Sequence, residues 1–78
     1  MLSGDYAEDR LIIIEAKIVK VLKHFKKVEH NQLIDEVYKQ TDVFKPQPQQ
    51  IKEAIEKLIN QEYMKRDPEQ ANIYLYQS

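Results

Sequence analysis

The chain has 78 residues, 12 Lys and Arg against 13 Asp and Glu, a net charge of −1, one glycine and no cysteine. A chain this short buries only about 60% of its unfolded surface, so the composition predicts one small domain and disfavours an enclosed active site. Without cysteine there are no disulfides or thiolate metal sites, and His24 and His30 alone are too few for a zinc site. We therefore expect no metal and no cofactor.

The longest apolar run is Leu11 to Ile14, far shorter than the roughly 18 residues that a membrane-spanning helix needs. We expect no contact with membranes. The lack of cysteine also suits a reducing compartment.

The start of the chain is polar, and we expect residues 1–8 to form a flexible lead-in to a single domain at residues 9–78. The first helix is predicted from Asp9 to Phe25, because apolar residues recur there at spacings of three and four. These residues form a predicted core stripe: Leu11, Ile14, Ile18, Val21 and Phe25.

A second helix is predicted from Asn31 to Gln40, with Asn31 as its N-cap. A connector follows, because Pro46 and Pro48 disfavour helix in the residues before them. Pro48 in turn suits the first turn of a third helix that ends near Asn60. The apolar residues of that helix predict its buried side: Ile51, Ala54, Ile55, Leu58 and Ile59.

The period then changes to that of two short strands, Tyr63–Arg66 and Ile73–Tyr76, joined by a polar turn. A short extended piece is expected at Lys27–Glu29. This order of elements predicts a winged helix, a mainly α fold in which a three-helix bundle carries a small β-hairpin as its wing.

Winged helices often bind DNA with their third helix in the major groove. Here that helix presents Lys52 and Lys57 together with Glu53 and Glu56, so its charges cancel. The positive footprint of a DNA-binding surface is missing, which disfavours nucleic acid as a partner. A DNA-binding winged helix stays as the alternative function.

The strongest charge asymmetry lies at the end of the first helix, where residues 17–27 include five lysines and no acid. At 100° per residue, Lys23 points roughly 150° from the centre of the core stripe and is predicted to be exposed. A second apolar strip falls on the same outer side: Ile12, Ala16 and Val19. This surface is either a solvated lysine face or a docking surface that presents an amine nucleophile, and periodicity does not choose between them.

Signatures of catalysis are missing from the sequence, which has no glycine-rich phosphate loop, no nucleophile elbow and no His-x-x-x-His pair. His24 is interpreted as an exposed histidine, and His30 as a residue near the start of the second helix. The sequence therefore favours a domain that is not an enzyme.

Six separated segments share the order and spacing of one known family: Asp9-Arg10, Ile18-Val19-Lys20-Val21-Leu22-Lys23, His30-Asn31-Gln32-Leu33-Ile34, Ile51-Lys52-Glu53-Ala54-Ile55-Glu56-Lys57-Leu58-Ile59, Glu62-Tyr63-Met64-Lys65-Arg66 and Tyr74-Leu75-Tyr76. Together they resemble the extreme C-terminal domain of a cullin. The resemblance covers nearly everything from Asp9 to Tyr76.

Cullins are the scaffold subunits of RING-type ubiquitin ligases, and this family domain is a winged helix. The resemblance implies that Lys23, which ends the family's Ile-Val-Arg-Ile-Met-Lys motif, accepts a ubiquitin-like modifier through an isopeptide bond, the reaction called neddylation. It also implies the cytoplasm and nucleus as the location. The implied partners are the modifier itself, the RING-box subunit, the neddylation conjugating enzyme, the deneddylating signalosome and the cullin exchange factor.

The motif around Lys23 departs from the family in places, since Lys20 replaces the usual arginine and Val21-Leu22 replaces Ile-Met. These changes keep the helix and the sign of the charge. They leave Lys20 and Lys26 as competing acceptors, because both lie near Lys23 on the helix surface. The candidate docking residues around Lys23 are Ile12, Ala16, Val19, Lys20, Lys26 and Lys27, with Arg10 nearer the start of the helix.

Overall fold

In the computed structural model, the backbone is described for residues 3–77 and the side chains for residues 10–77. The elements in chain order are α1 (Ser3–Phe25), β1 (Lys27–Glu29), α2 (His30–Gln40), α3 (Pro48–Asn60), β2 (Met64–Arg66) and β3 (Ile73–Tyr76). The predicted winged helix is confirmed, with β2 and β3 forming the wing.

Helix α1 begins at Ser3, earlier than the predicted start at Asp9. A helix that has already formed gains one hydrogen bond for each residue added, so it extends through polar residues that lack the apolar period. The side chains of the lead-in predicted for residues 1–8 lie outside the described residues, as does the backbone of its first two residues.

The buried side of α1 differs from the predicted stripe, since Leu22 is buried although it was not in the stripe, Leu11 is only half-buried and Phe25 is exposed. Four of its residues are at most 1% exposed: Ile14, Ile18, Val21 and Leu22. Phe25 was predicted to be buried, but 39% of its surface is exposed. It is the last residue of the helix, and the fully covered stretch ends at Leu22.

Helix α2 begins at His30, directly after β1, and the predicted N-cap at Asn31 is wrong. Glu29 occupies the N-cap position with φ −80° and ψ 153°, and no side chain caps the helix there. The last residue of a strand already has the extended backbone that an N-cap requires. Asn31 therefore lies inside the first turn, where it is exposed.

Helix α3 begins at Pro48, as predicted, and the backbone N–H of Gln47 donates a 3.0 Å hydrogen bond to Oε1 of Gln50. This bond is one half of a capping box and satisfies a donor that the helix itself leaves free. The fully buried residues of α3 lie on the predicted side: Ile51, Ala54, Ile55 and Leu58. Ile59, which was also predicted there, is half-buried. Lys57 also links α3 to α1, because its Nζ lies 3.4 Å from Oε2 of Glu15.

The three strands form one antiparallel sheet in which β3 lies between β1 and β2. Tyr74 pairs with Val28 on one side, and Tyr76 pairs with Met64 on the other. Val28, Met64 and Tyr74 are buried and complete the core from the side of the sheet. β3 also reaches the end of α1, since the N–H of Tyr76 donates a 2.8 Å hydrogen bond to the carbonyl of Lys26, the residue after the helix.

Candidate functional site

Lys23 lies in the last turn of α1, and its side chain is exposed. The exposure agrees with the angle predicted from helical geometry. With any partner among residues 10–77, Lys23 forms neither a hydrogen bond nor an ion pair through its side chain. A cation in the last turn also interacts favourably with the negative end of the helix dipole.

The end of α1 is held by backbone bonds immediately after Lys23. Lys26 has a left-handed backbone with φ 67°, and its N–H donates a 2.7 Å hydrogen bond to the carbonyl of Leu22. The carbonyl of Lys26 accepts a 2.8 Å hydrogen bond from the N–H of Tyr76. The position of Lys23 is therefore set by the helix before it and by β3 after it.

The second apolar strip lies along the outer side of α1, but it is not uniformly exposed. Ile12 is 56% exposed and Ala16 is exposed, whereas Val19 is half-buried and packs against the core. The strip therefore offers an apolar surface mainly in the part of the helix that precedes Val19.

The other lysines near Lys23 differ in their surroundings. Lys20, Lys26 and Lys27 are exposed, and Lys17 is half-buried. Lys27 lies in β1 opposite Leu75, while Nζ of Lys26 sits 4.9 Å from the centroid of the Tyr76 ring. The contact between Lys26 and Tyr76 was not predicted, because their separation in the sequence leaves no periodic signal.

The two histidines have separate roles. His24 is exposed and packs against the edge of Phe25, with ring centroids 4.8 Å apart. His30 is half-buried, and its Nδ1 lies 2.9 Å from the hydroxyl of Tyr74, which also accepts a 3.4 Å hydrogen bond from Nη1 of Arg66. His30 thus joins the start of α2 to the wing. The sequence predicted its position near the start of the helix but not this contact.

An open groove of about 640 Å³ lies between α2, α3 and the wing. Its floor is apolar, with Ile34, Ile51 and Ile55 among its lining residues, and its rim carries Lys52 and Arg66 as well as acidic residues. Acidic Glu29 and Glu56 lie on the same rim, so the groove has no strong charge of one sign.

The exposed face of α3 does not present the positive charge of a DNA-reading helix. Lys57 is paired with Glu15 of α1, and Nη2 of Arg66 donates to Oε2 of Glu56 at 2.7 Å. Each contact pairs a charged residue of α3, Lys57 or Glu56, with a residue of opposite charge elsewhere in the domain. That nucleic acid is not a partner stays a prediction.

Two further findings apply to the part of the chain that the structure describes. No three His, Cys, Asp or Glu side chains gather in a way that would hold a metal ion. No helix combines the length and the apolar composition needed to cross a membrane.

Residues 9–70 match the family described as the cullin protein neddylation domain. The chain is 44% identical over 70 residues to Cullin-3 of Dictyostelium discoideum and to Cullin-1 of Caenorhabditis elegans, covering 88% of this chain and 9% of each relative. It is 40% identical over 73 residues to a putative cullin-like protein 1 of Arabidopsis thaliana, covering 92% of this chain and 10% of that protein. The chain thus spans about a tenth of the length of these curated relatives.

Among solved structures, the chain is similar to one described as "A Dual E3 Mechanism for Rub1 Ligation to Cdc53: Dcn1(P)-Cdc53(WHB)". The TM-score is 0.90 at 28% sequence identity, and the match covers 96% of this chain and 87% of that one. The similarity therefore extends over nearly the whole winged helix.

Proposed function

The chain is a neddylation domain of the cullin family, and we propose that its Lys23 is the acceptor for covalent attachment of a ubiquitin-like modifier. In this proposal the domain belongs to a cullin scaffold of a RING-type ubiquitin ligase and catalyses nothing itself. Attachment of the modifier activates the ligase.

The observation that carries the proposal is the exposed Lys23 amine at the end of α1, which has no side-chain partner among residues 10–77. In its uncharged form a lysine amine is a nucleophile. It attacks the activated C-terminal carbonyl of the modifier, a C–N bond forms, the activating group leaves, and the nitrogen loses a proton. An acceptor already engaged in an ion pair would first have to give up that pair.

We propose that the partners dock along the outer side of α1. They are the RING-box subunit, the neddylation conjugating enzyme, the deneddylating signalosome and the exchange factor, in the cytoplasm and nucleus. The description of the similar solved structure names Dcn1 together with the WHB domain of Cdc53, which supports a neddylation factor as a partner of this fold. The exposed Ile12 and Ala16 and the lysines Lys20 and Lys27 are the surface that we propose for docking such partners.

The proposal is tested by a conjugation assay with the neddylation enzymes and modifier, in which Lys23→Arg is compared with the parent chain. The arginine keeps the charge and the helix but has no amine that attacks an acyl group. We expect the conjugate at Lys23 to disappear, as read by intact mass and by peptide mapping of the linkage.

Lys20→Arg and Lys26→Arg are the matched controls, because both sites carry exposed lysines close to Lys23. Each is expected to conjugate as well as the parent. Conjugation of Lys23→Arg at the parental rate would contradict the assignment.

A further inference from the structure

We propose that Tyr76 is a specificity-determining residue, which holds the neighbouring Lys26 against its ring and so directs modification to Lys23. This inference rests on the proposed function of Lys23 as an acceptor. Lys23 and Lys26 are both exposed and lie three positions apart in the chain, Lys23 in the last turn of α1 and Lys26 directly after the helix. An enzyme that reaches one amine is therefore close to the other.

The backbone of Lys26 is held from both sides. Its left-handed conformation, φ 67°, ends α1, and its N–H is bonded to the carbonyl of Leu22 at 2.7 Å. Its carbonyl accepts the N–H of Tyr76 at 2.8 Å. These bonds place the Cα of Lys26 beside the last residue of β3, so its side chain starts next to the tyrosine ring.

The side chain of Lys26 completes the contact. Its Nζ lies 4.9 Å from the Tyr76 ring centroid, within the roughly 6 Å over which the face of an aromatic ring attracts a cation. Tyr76 is half-buried and packs against the core, and its backbone pairs with Met64 of β2. The Lys26 amine must leave the ring before it attacks an acyl group in solution.

Lys23 has no equivalent restraint among residues 10–77, where no aromatic ring lies under its amine. Both lysines are exposed, so they differ in whether the amine contacts an aromatic ring and not in their exposure. A cation–π contact at an exposed site corresponds to about a two- to fivefold change in the equilibrium between the ring-bound and the free lysine amine. That range is the selectivity expected from the ring.

The test uses chemical acylation of the whole chain, which needs no conjugating enzyme. A limiting amount of the N-hydroxysuccinimide ester of acetate is added, and cleavage after Glu15 and Glu29 releases a peptide that contains both lysines for fragment mapping. In the parent we expect Lys26 to react about two- to fivefold more slowly than Lys23. In Tyr76→Leu the two rates are expected to converge, and in Tyr76→Phe, which keeps the ring, the difference is expected to return.

Equal rates in the folded parent, or an unchanged difference in Tyr76→Leu, would overturn the proposal. Circular dichroism shows whether each variant is folded. If Tyr76→Leu does not fold, the NMR shifts of the parent decide: the ε-CH₂ protons of Lys26 should lie upfield of those of Lys23 because of the ring current, and equal shifts would overturn the proposal.

The acylation experiment tests the role of Tyr76, and the conjugation assay tests the acceptor role of Lys23, so either proposal can be contradicted without the other. A protected Lys26 in a protein that no enzyme modifies would remove the acceptor role of Lys23 and keep the tethering by Tyr76. Equal acylation rates in a protein that is conjugated at Lys23 would remove the role of Tyr76 alone. With active enzymes, Tyr76→Leu is expected to add a second conjugate at Lys26.

Discussion

At the residue scale, Ile55 of α3 shows how much one side chain contributes to so small a domain. It is 2% exposed and lies among the core residues that α3 brings against α1 and the sheet. We expect Ile55→Ala to lower the free energy of unfolding by about 2–5 kcal/mol, because it removes buried methyl groups and leaves a cavity. Denaturation by urea, followed by circular dichroism, measures the loss.

Ile12→Ala is the matched control for that substitution. Ile12 has the same side chain but is 56% exposed, so its truncation leaves no cavity. Its effect is expected to stay within about 0.5 kcal/mol. If both variants lost the same stability, burial of Ile55 in the core would be contradicted.

At the scale of elements, the end of α3 shows a strained residue at a position that glycine normally occupies. Glu62 has φ 65°, and its N–H bonds to the carbonyl of Ile59 while the N–H of Tyr63 bonds to the carbonyl of Leu58, each at 3.0 Å. This pair of bonds is the Schellman motif, with Glu62 at the left-handed C′ position. In this left-handed conformation a residue with a Cβ atom, such as Glu62, is less favourable than glycine.

We expect Glu62→Gly to stabilise the domain by about 0.5–1 kcal/mol, because relief of the left-handed strain exceeds the extra entropy that glycine loses on folding. For a domain of this size the melting temperature should rise by about 2–8 °C. Glu62→Ala removes the same exposed carboxylate without relieving the strain. Equal melting temperatures for the two variants would contradict the role given to the backbone.

At the scale of the whole molecule, the features that were predicted correctly are those with a local cause. The periods of α1 and α3, the proline at the start of α3 and the tyrosine-rich strands each act through neighbouring residues, and together they indicate a winged helix. The exposure of Lys23 follows from helical angle alone. Its role as an acceptor rests on the resemblance to the family and not on periodicity.

The features that were missed depend on contacts between distant parts of the chain. His30 and Tyr74 are 44 residues apart, and their hydrogen bond exists only because β3 lies beside β1. The ring of Tyr76 lies under Lys26 for the same reason. The exposure of Phe25 likewise depends on where the covered stretch of α1 ends, which the helical period does not encode.

The distribution of charge over the domain gives a last prediction, on binding of duplex DNA. The exposed face of α3 carries equal numbers of acids and lysines. In the wing, the acids Asp67 and Glu69 balance Lys65 and Arg66, so neither element has an excess of positive charge. Proteins that bind DNA without specificity do so at about 10⁻⁴ to 10⁻⁶ M through phosphate contacts. We expect no binding tighter than about 10⁻⁴ M by fluorescence anisotropy at near-physiological salt.

The double variant Glu53→Lys, Glu69→Lys is the control, since both acids are exposed and the change makes the helix and the wing positive. It should bind DNA with an affinity that falls as salt rises, because each phosphate contact releases counterions. If the parent chain bound with such a salt dependence, the DNA-binding alternative would regain its place. If the double variant also failed to bind, charge would not be what separates this winged helix from those that bind DNA.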